Sequence, residues 1–521
     1  MKRRAIFGAL ILATAVGALA FRLPRLSQRP MHGDEAVQAL QSGILAETGV
    51  YRYNQIEFHG PSLYYLSLIP MWLSSAHTLA ETNECTFRIV PVVFGTGLIL
   101  LLLLFGDGLG RAAAVCAGVL TAVSPAMVYY SRYYIQETLL VCFTFAAIVC
   151  GWRYVQSRRP VWALLAGASL ALMHATKETC IIAYGAMVLA LVLVCAWKRW
   201  IDKEPVRLRE VAKPKHMIPA VIVGVVVSVV LFSSFFTNWR GPWDSVATYG
   251  GYFNRARESV HLHPWWHYYL GMLVYTKLAP GPWWSEGLIV GLAAVGFIAA
   301  MLKKTDEHGN AALLRFLAFY TVILTVIYSK IPYKTPWCML SFLHGMILLA
   351  GVGAVAIWRW MPNVPTKAIA AILLAAATLH LAKQSHAACF KFDADNRNPY
   401  VYSHPGRDVL TLVKRVEEIA QLHPDGKGMV VKIMAPEYDY WPIPWYLREF
   451  DHLGYWDAVP DEPDAPVIIA ATALHPDLEK KLRDKYQINH YGLRPHTLLL
   501  LYIRSDLWDK FIRKQMKRSA K

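Results

Sequence analysis

The hydrophobic pattern of the chain is dominated by long runs of mostly apolar residues that recur from the N-terminus to about residue 384. Each run has roughly 17 to 25 residues, the length that crosses the hydrocarbon core of a membrane as a helix. The runs cover residues 5–21, 88–105, 112–130, 134–152, 160–176, 178–197, 217–236, 285–302, 312–329, 337–358 and 366–384. The pattern predicts a polytopic α-helical membrane protein with about 11 transmembrane helices.

Two shorter apolar segments, 62–75 and 265–278, are rich in aromatic residues and have proline close by. We interpret both as interfacial or re-entrant helices that lie along the outer leaflet, because making either one a full span would break the charge asymmetry of the connections that follow. If both crossed the membrane, the number of spans would rise to about 13 and the C-terminus would stay on the same side.

Lysine and arginine gather in the connections on one side of these runs, for example at 153–159, 198–215 and 303–304. Because basic connections remain cytoplasmic, we expect a multi-pass protein of the cell membrane with its N-terminus inside. The loop 22–87 and everything after about residue 385 are then extracytoplasmic. The first run is interpreted as an uncleaved anchor, although its basic start and small-residue end also resemble a cleavable secretory signal.

Beyond residue 384 the apolar runs shorten, and charged residues and proline return. Strands are predicted at 429–434, 466–471 and 497–503, and helices at 407–422 and 477–486. The chain therefore divides into a membrane body, residues 1–384, and a soluble extracytoplasmic α/β domain, residues 385–521.

Composition agrees with a membrane protein and excludes other classes. Of the 521 residues, 55% are hydrophobic and 17% are charged, a combination that is rare among soluble proteins of this length. The formal net charge of +17 resides in connections between apolar runs rather than on one basic face, so nucleic acid is not an expected partner. Most of the eight cysteines lie inside apolar runs, and their spacing indicates neither zinc nor a disulfide framework.

Acids and histidines cluster shortly after the first apolar run, in His32-Gly33-Asp34-Glu35-Ala36 and in Glu57-Phe58-His59. Ionisable groups near a bilayer usually line a cavity or take part in chemistry. Adjacent carboxylates point in different directions, so one of Asp34 and Glu35 can act as a general base while the other orients an amide, a lysine or a metal. The alternative is that Asp34 only caps a helix beginning at Glu35.

The same side chains can also be interpreted as a cation site. Carboxylates suit Mg²⁺ or Mn²⁺ and imidazoles suit Mn²⁺ or Zn²⁺, so Asp34, Glu35 and His59 would be the ligands if the protein uses a divalent cation. His32, Glu57 and His59 are candidates to line a substrate cavity. Their spacing matches no known ligand pattern, and a single histidine is more often a structural hydrogen-bonding group.

Four cations near the predicted outer ends of helices are candidates to bind a donor phosphate. They are Arg132, Lys177, Lys330 and Lys334, the last two in a loop stiffened by prolines. Arginine matches phosphate oxygens with two parallel hydrogen bonds, which favours Arg132. The alternative is that Arg132 pairs with Glu137, and Lys177 with Glu178, at the lipid interface.

Aromatic residues near these cations are candidates to stack on a sugar or an isoprenoid. Tyr333 lies in the proline-stiffened loop. Trp239 follows the seventh run, with Arg240 beside it as a further candidate to line the substrate cavity. The alternative interpretation of this segment is an aromatic belt at the membrane interface, with no role in substrate binding. Trp441–Trp445 is a rigid segment of tryptophan and proline, which makes a good sugar platform. It can equally pin the soluble domain onto the membrane body.

Short motifs spread over most of the chain are His32–Ala36, Tyr51–Tyr53, His59–Pro61, Tyr328–Lys330, Pro332–Trp337, Asn398–Tyr402 and Trp441–Tyr446. Together with the polytopic body and the soluble tail, they resemble the GT-C superfamily of membrane glycosyltransferases. Within it the chain is similar to the dolichyl-phosphate-mannose protein mannosyltransferases (glycosyltransferase family 39), and most of all to the flippase-activity-associated proteins of archaeal and bacterial glycosylation.

The resemblance implies an inverting glycosyltransferase of the EC 2.4 class that moves a sugar from a polyprenyl-phosphate donor to an extracytoplasmic glycan, lipid or protein. By the family pattern Asp34 is the catalytic base with Glu35 beside it, and Lys330 or Arg132 stabilises the departing lipid phosphate. The name of the last group records a flippase association. A second interpretation is therefore a membrane protein that binds the lipid-linked sugar without transferring it.

Overall fold

The computed structural model describes residues 2–55, 58–206, 212–258, 262–278, 280–302 and 309–519. Within these residues, eight helices are long and apolar enough to cross a membrane: Lys2–Arg22, Glu84–Leu104, Glu137–Ser157, Cys180–Trp200, Pro214–Phe232, Ala311–Lys330, Pro336–Trp360 and Val364–Lys391. Each coincides with a predicted span. The polytopic helical body is thereby confirmed.

The other three predicted spans are helices of 13 to 16 residues, Arg111–Val123, Pro160–His174 and Gly287–Leu302. The predicted span 112–130 is interrupted at Ser124, whose backbone leaves the helical region and whose hydroxyl accepts the N–H of Met127. A separate helix then starts at Pro125, because proline is favoured in the first turn. The count of about 11 spans remains a prediction.

The α-helices are α1 Lys2–Arg22, α2 Gly33–Thr48, α3 Ser62–Leu73, α4 Glu84–Leu101, α5 Gly106–Leu109, α6 Arg111–Val123, α7 Pro125–Tyr130, α8 Glu137–Ser157, α9 Pro160–His174, α10 Cys180–Trp200, α11 Pro214–Phe232, α12 Gly241–Glu258, α13 Tyr268–Val274, α14 Gly287–Leu302, α15 Ala311–Lys330, α16 Leu340–Trp360, α17 Val364–His386, α18 Asp408–Ala420, α19 Ile443–Tyr446, α20 His475–Lys481 and α21 Ser505–Ser519. The strands are β1 Thr276–Lys277, β2 Trp283–Trp284, β3 Val430–Met434, β4 His452–Trp456, β5 Val467–Ala471, β6 Tyr486–Arg494 and β7 Thr497–Arg504.

Close packing of the body depends on glycine where α16 crosses α14 and α6. A methyl group on Gly353 would overlap the carbonyl of Leu292 in α14, and one on Gly351 would overlap the carbonyl of Ala113 in α6. The neighbouring atoms belong to the backbone, so no side-chain rotation could make room. Small residues at such crossings let membrane helices approach closely.

The two short aromatic segments form short helices. Residues 62–75 contain α3, which has 12 residues, and residues 265–278 contain only α13, which has seven. The second helix ends early because Thr276 and Lys277 pair with β2. Neither helix is long enough to cross a bilayer on its own.

The stretch after α17 packs with the membrane body. Cys389 and Tyr400 are buried in the core of the body, and the Tyr130 hydroxyl donates to the Tyr400 carbonyl at 2.9 Å. The core of the soluble domain begins at Val409. The structure therefore places the start of the sheet domain well beyond residue 385, where the sequence pattern changes.

The soluble domain is built on a five-stranded mixed sheet in the order β4–β3–β5–β7–β6. β3 is parallel to β4 and β5, and β7 is antiparallel to β5 and β6. The three predicted strands and the helix at 407–422 are confirmed. The helix predicted at 477–486 is wrong at its end, because α20 stops at Lys481 and Tyr486 begins β6. There the Asp464 carboxylate accepts the amides of Arg483 and Asp484.

Side chains of α19 and the turn after it attach the soluble domain to the body. Trp445 Nε1 donates to a carboxylate at the start of α4 (3.2 Å), and the Tyr446 hydroxyl accepts the N–H of Met31 (2.8 Å). Arg448 donates to two backbone carbonyls in residues 79–82. The Trp441–Trp445 segment had two interpretations, a sugar platform and an attachment of the soluble domain to the membrane body. These contacts support the attachment.

Candidate active site

The start of α2 determines how Asp34 is presented. His32 is the N-cap: its Nδ1 accepts the N–H of Asp34 (3.0 Å), and its own N–H donates to Glu35 Oε2 (3.1 Å). This reciprocal arrangement satisfies amides that a helix start otherwise leaves without partners. The cap is therefore His32 and not Asp34, whose side chain is 51% exposed.

Glu35 is fully buried and is held by two arginines. Arg88 donates through Nε and Nη2 to its two oxygens, both at 2.7 Å, and Arg29 Nη2 lies 3.5 Å away. The N–H of Tyr134 adds a further hydrogen bond at 2.9 Å. Burial on its own raises the pKa of Glu35, but the arginines and the hydrogen bonds outweigh it and bring the pKa to about 2.

These contacts correct the catalytic role predicted for Glu35. Both of its oxygens already accept hydrogen bonds from arginine or backbone donors, so neither is placed to take a proton from a substrate. Arg88 also donates to three carbonyls in residues 26–30, which ties α4 to the loop before α2. Glu35 holds this loop in place. Of the predicted pair, only Asp34 is open to a substrate.

An aromatic cluster surrounds the start of α2. The His32 ring lies 5.2 Å from His404, 5.6 Å from Tyr133 and 6.0 Å from Trp337, and Trp337 lies 5.8 Å from Tyr402. None of these four partners was predicted as a site residue. The signal available in the sequence was that Trp337 and Tyr402 end two of the motifs that carry the GT-C resemblance.

The His32 imidazole is neutral in this arrangement. Because Nδ1 accepts a hydrogen bond, the ring proton is on Nε2, which donates to the Tyr402 carbonyl at 3.0 Å. Burial is the largest of the influences that together lower the pKa of His32. The ring therefore fixes the start of α2 and links it to the segment after α17.

Two predicted site residues, Lys177 and Asp34, both influence the pKa of Tyr333. Burial raises the pKa of Tyr333 to about 12, and the charges of both Lys177 and Asp34 act on its phenol. The Asp34 charge acts in the same way on Tyr133 and Tyr402. The geometry links Asp34 to the aromatic cluster through His32, whose Nδ1 lies 3.8 Å from Asp34 Oδ2 and whose ring lies 5.6 Å from Tyr133. The structure thus brings together two of the predicted site residues, His32 and Asp34.

Lys177 is buried in the turn between α9 and α10, where it forms an ion pair with Glu137 at the start of α8. The alternative pairings inferred from sequence, Lys177 with Glu178 and Arg132 with Glu137, are both wrong. Lys177 is thus a buried cation whose ammonium group is held by the Glu137 carboxylate.

Glu178 and His59 form a second closed pair. His59 Nδ1 lies 2.7 Å from Glu178 Oε2, and the Tyr53 hydroxyl donates to Oε1 at 2.8 Å. Burial raises the pKa of Glu178, and His59 with the hydrogen bonds outweighs it and brings the pKa to about 2. Glu57 lies outside the described residues. His59 is therefore a partner of Glu178.

Arg132 has a structural role in place of the predicted phosphate contact. Its guanidinium donates to the carbonyls of Arg22, Pro24 (2.8 Å) and Arg25 (3.3 Å), and it lies 4.7 Å above the Phe390 ring. These groups form the end of α1 and the turn that follows it. Arginine is well suited to this task because its fork of donors can bind several carbonyls at once.

The remaining predicted residues lie in two other places. Lys334 is buried, with Nζ donating to the carbonyls of Ile331 (2.5 Å) and His263 (2.8 Å), and burial lowers its pKa. It therefore fixes its own loop, whereas Lys330 is exposed at the end of α15. Trp239 is 69% exposed, and Arg240 pairs with Asp244 in α12 at 3.4 Å. Within the described residues, no contact joins these four side chains to Asp34.

The divalent-cation interpretation receives no geometric support. Glu35 is bound to Arg88 and His59 to Glu178, so the three predicted ligands are not assembled around one point. Across the described part of the chain, no three side chains of His, Cys, Asp or Glu form a group that could hold a metal ion. Metal dependence stays open to experiment.

Comparisons with known proteins bear on this architecture. Residues 67–232 match the family model for dolichyl-phosphate-mannose-protein mannosyltransferase. The crystal structure of ArnT from Cupriavidus metallidurans bound to undecaprenyl phosphate matches with a TM-score of 0.64 and 14% identity, over 94% of this chain and 97% of ArnT. The archaeal oligosaccharyltransferase AglB from Archaeoglobus fulgidus, in complex with an inhibitory peptide and a dolichol-phosphate, matches with a TM-score of 0.58 and 10% identity, over 97% of this chain and 77% of AglB. No curated protein matches the sequence.

Both structural relatives belong to the GT-C superfamily and align over almost the whole chain. The chain has the GT-C fold. The predicted helical membrane body with a sheet domain after it is thereby confirmed. Asp34 lies in the first turn of α2, the helix that follows the first membrane helix along the chain. Membership of the flippase-activity-associated group stays a prediction.

Proposed function

We propose that the protein is an inverting glycosyltransferase that moves a sugar from a polyprenyl-phosphate donor to a glycan, lipid or protein acceptor. The observation that carries the proposal is Asp34, a half-exposed carboxylate beside an aromatic cluster, on a helix start that Glu35 and Arg88 hold rigidly. The GT-C fold and the mannosyltransferase model over 67–232 support transfer chemistry. ArnT bound to undecaprenyl phosphate and AglB with dolichol-phosphate support the donor class.

The proposed reaction is a single displacement at the anomeric carbon. Asp34 takes the proton of the acceptor hydroxyl while the oxygen forms a bond to that carbon. On the opposite face, the bond from the anomeric carbon to the phosphate oxygen breaks, and its electron pair leaves with the phosphate. The products are the glycosylated acceptor with inverted configuration, polyprenyl phosphate and a protonated Asp34 that returns its proton to water.

Lys177 supplies positive charge for the leaving phosphate. Negative charge grows on the phosphate as its bond to the sugar breaks, so a cation already in position lowers the barrier. Lys177 is buried in the turn between α9 and α10 and is held by Glu137. The half-buried ring of Tyr402, which packs 5.8 Å from Trp337, provides a face on which a sugar can stack.

We place this reaction on the outer face of the cell membrane, with the N-terminus in the cytoplasm. The arginine and lysine residues of the connections at the opposite end of the helices support this orientation. The soluble domain attaches beside the start of α2, so it would lie on the same outer face.

The proposal is tested with purified protein in lipid and a panel of polyprenyl-phosphate sugars with candidate acceptors. We expect the wild type to release free polyprenyl phosphate from one donor and to give a product of inverted anomeric configuration. Asp34→Asn should abolish release, whereas Asp425→Asn, the same change at an exposed site of the soluble domain, should leave it unchanged. Donor binding without release in the wild type would contradict transfer and identify a lipid-handling protein.

A further inference from the structure

A cavity, here called the inner cleft, lies at the opposite end of the membrane body from Asp34. It has a volume of about 930 Å³, and its walls include residues of α1, α6, α14 and α16. The 21-residue helix α1 connects the two ends and spans roughly 30 Å. Arg3 at one end of α1 lines the inner cleft, whereas Arg22 at the other end lies in the turn region bound by Arg132.

Among the described residues that line the inner cleft, arginines outnumber carboxylates. Three arginines on three different helices line it: Arg3, Arg111 and Arg359. All three are exposed, and among the described residues none of them forms a hydrogen bond or an ion pair. Asp107, the carboxylate among the described lining residues, already accepts hydrogen bonds from Trp152 Nε1 (3.0 Å) and Arg153 Nη1 (2.8 Å).

The remaining wall is apolar. Ala299 of α14 and Val352 and Val355 of α16 line the inner cleft, just beyond the glycine crossing that brings these two helices together. The first turn of α6 also lines it, and the N-cap of that helix, Gly110, has no side chain to bind its free amides. The cavity thus combines phosphate-binding donors with a surface for hydrocarbon.

We propose that the inner cleft binds an anionic phospholipid, with its phosphate between the three arginines and an acyl chain against the apolar wall. Arginine donors match phosphate oxygens in geometry and charge. Basic pockets between transmembrane helices on the cytoplasmic side are suited to acidic lipid headgroups. The cavity volume lies within the range of roughly 300–1,000 Å³ that is typical of ligand sites. Arginines that served only to orient the chain would not need to converge on a cavity.

The test uses full-length protein in nanodiscs that contain phosphatidylglycerol and phosphatidylcholine, with retained lipids counted by native mass spectrometry. We expect the wild type to retain phosphatidylglycerol selectively. Apparent affinity should fall about fivefold for each arginine removed, so that Arg3→Gln/Arg111→Gln/Arg359→Gln loses roughly 100-fold. A matched control, Arg4→Gln/Arg199→Gln/Lys215→Gln, removes the same charge from exposed sites at the same end of the bundle and should retain wild-type affinity.

A second variant separates a built site from a diffuse charge effect. Val355→Trp keeps all three arginines but fills the apolar wall, and it should also lose the retained phosphatidylglycerol. Equal retention in the wild type and the arginine variant, or equal loss in the variant and its charge-matched control, would overturn the proposal. So would a cleft that retains undecaprenyl phosphate in place of phosphatidylglycerol. None of these outcomes depends on the chemistry at Asp34.

Discussion

Asp34 and Glu35 are adjacent in sequence, yet they belong to two regions of opposite character. The Glu35 region is closed, because two arginines and two backbone amides occupy a carboxylate that has no exposed surface. The Asp34 region is open, because the carboxylate is half exposed and lies 3.8 Å from the His32 ring nitrogen, at the edge of the aromatic cluster. In this motif the buried acid provides rigidity and the exposed acid is available for chemistry.

The same contrast separates the arginines at the two ends of the body. At the end that contains Asp34, Arg88 and Arg132 are buried and donate to carbonyls or to Glu35. At the other end, Arg3, Arg111 and Arg359 are exposed and line a cavity. Arginines whose donors are occupied hold loops, whereas those of the inner cleft remain able to bind an anion.

The largest effect is expected from Asp34→Asn, which removes the base without disturbing the closed region. Release should fall below detection, a loss of at least about 100- to 10,000-fold, which is the usual contribution of general base catalysis. Donor affinity should change little, because Asp34 acts on the acceptor hydroxyl. Turnover is measured as polyprenyl phosphate release, and donor affinity by equilibrium binding. A variant that lost binding in proportion to turnover would assign Asp34 to donor recognition.

The closed region is broken by Glu35→Gln, which leaves Arg88 and Arg29 buried without a counter-charge. We expect a loss of about 3–5 kcal/mol in the free energy of unfolding, measured by denaturant titration in mild detergent. Arg88→Met should be similarly harmful. The double variant should be less destabilised than the sum of the two, because it leaves fewer unpaired charges. Additive losses would contradict a specific Glu35–Arg88 pair.

Lys177→Met tests whether Lys177 belongs to the open region around Asp34. Loss of a positioned cation should reduce turnover about 100-fold, the usual consequence of removing one group that stabilises charge in the transition state. Lys330→Met is the matched control, since Lys330 is exposed and has no described contact with the site. An effect at Lys330 that exceeded the effect at Lys177 would move the phosphate site to the proline-stiffened loop.

The smallest expected effect is on the acid sensitivity of unfolding. This sensitivity should distinguish the closed Glu35 region from the open Asp34 region. The pKa of Glu35 is lowered from 4.5 to about 2, so its contribution to stability is complete above pH 4.5 and is lost as the pH falls toward 2. Between pH 4.5 and 3, the wild type should lose about 2 kcal/mol through this group. The loss should be absent in Glu35→Gln, as measured by unfolding at each pH. An unchanged slope in that variant would contradict the lowered pKa.

Much of the fold could be predicted because hydrocarbon thickness sets a length that is visible along the chain. The apolar runs predicted the helices of the body. The predicted span 112–130 missed the break at Ser124, although Pro125 was a local signal for it. Reasoning along the sequence also identified Asp34 as a candidate, because ionisable groups near a bilayer are costly and usually have a function. Short β-branched runs gave three of the five strands of the soluble sheet.

The division of roles within the site could not be predicted, because it depends on distant partners. Arg88, which closes the Glu35 region, lies 53 residues further along the chain, and Tyr402 lies 370 residues from the His32 ring that it contacts. Lys177 was assigned its sequence neighbour Glu178, yet its partner is Glu137, 40 residues away. Adjacent side chains in a turn point apart, so tertiary packing and not sequence proximity selects the pairs.

The most direct test of the central claim measures turnover and unfolding temperature side by side for Asp34→Asn and Glu35→Gln. The account expects Asp34→Asn to unfold at the wild-type temperature and to release no polyprenyl phosphate. It expects Glu35→Gln to unfold at a lower temperature, with its folded fraction still releasing polyprenyl phosphate. Wild-type release by Asp34→Asn, or a fully folded but inactive Glu35→Gln, would contradict the division between an open catalytic acid and a closed structural one.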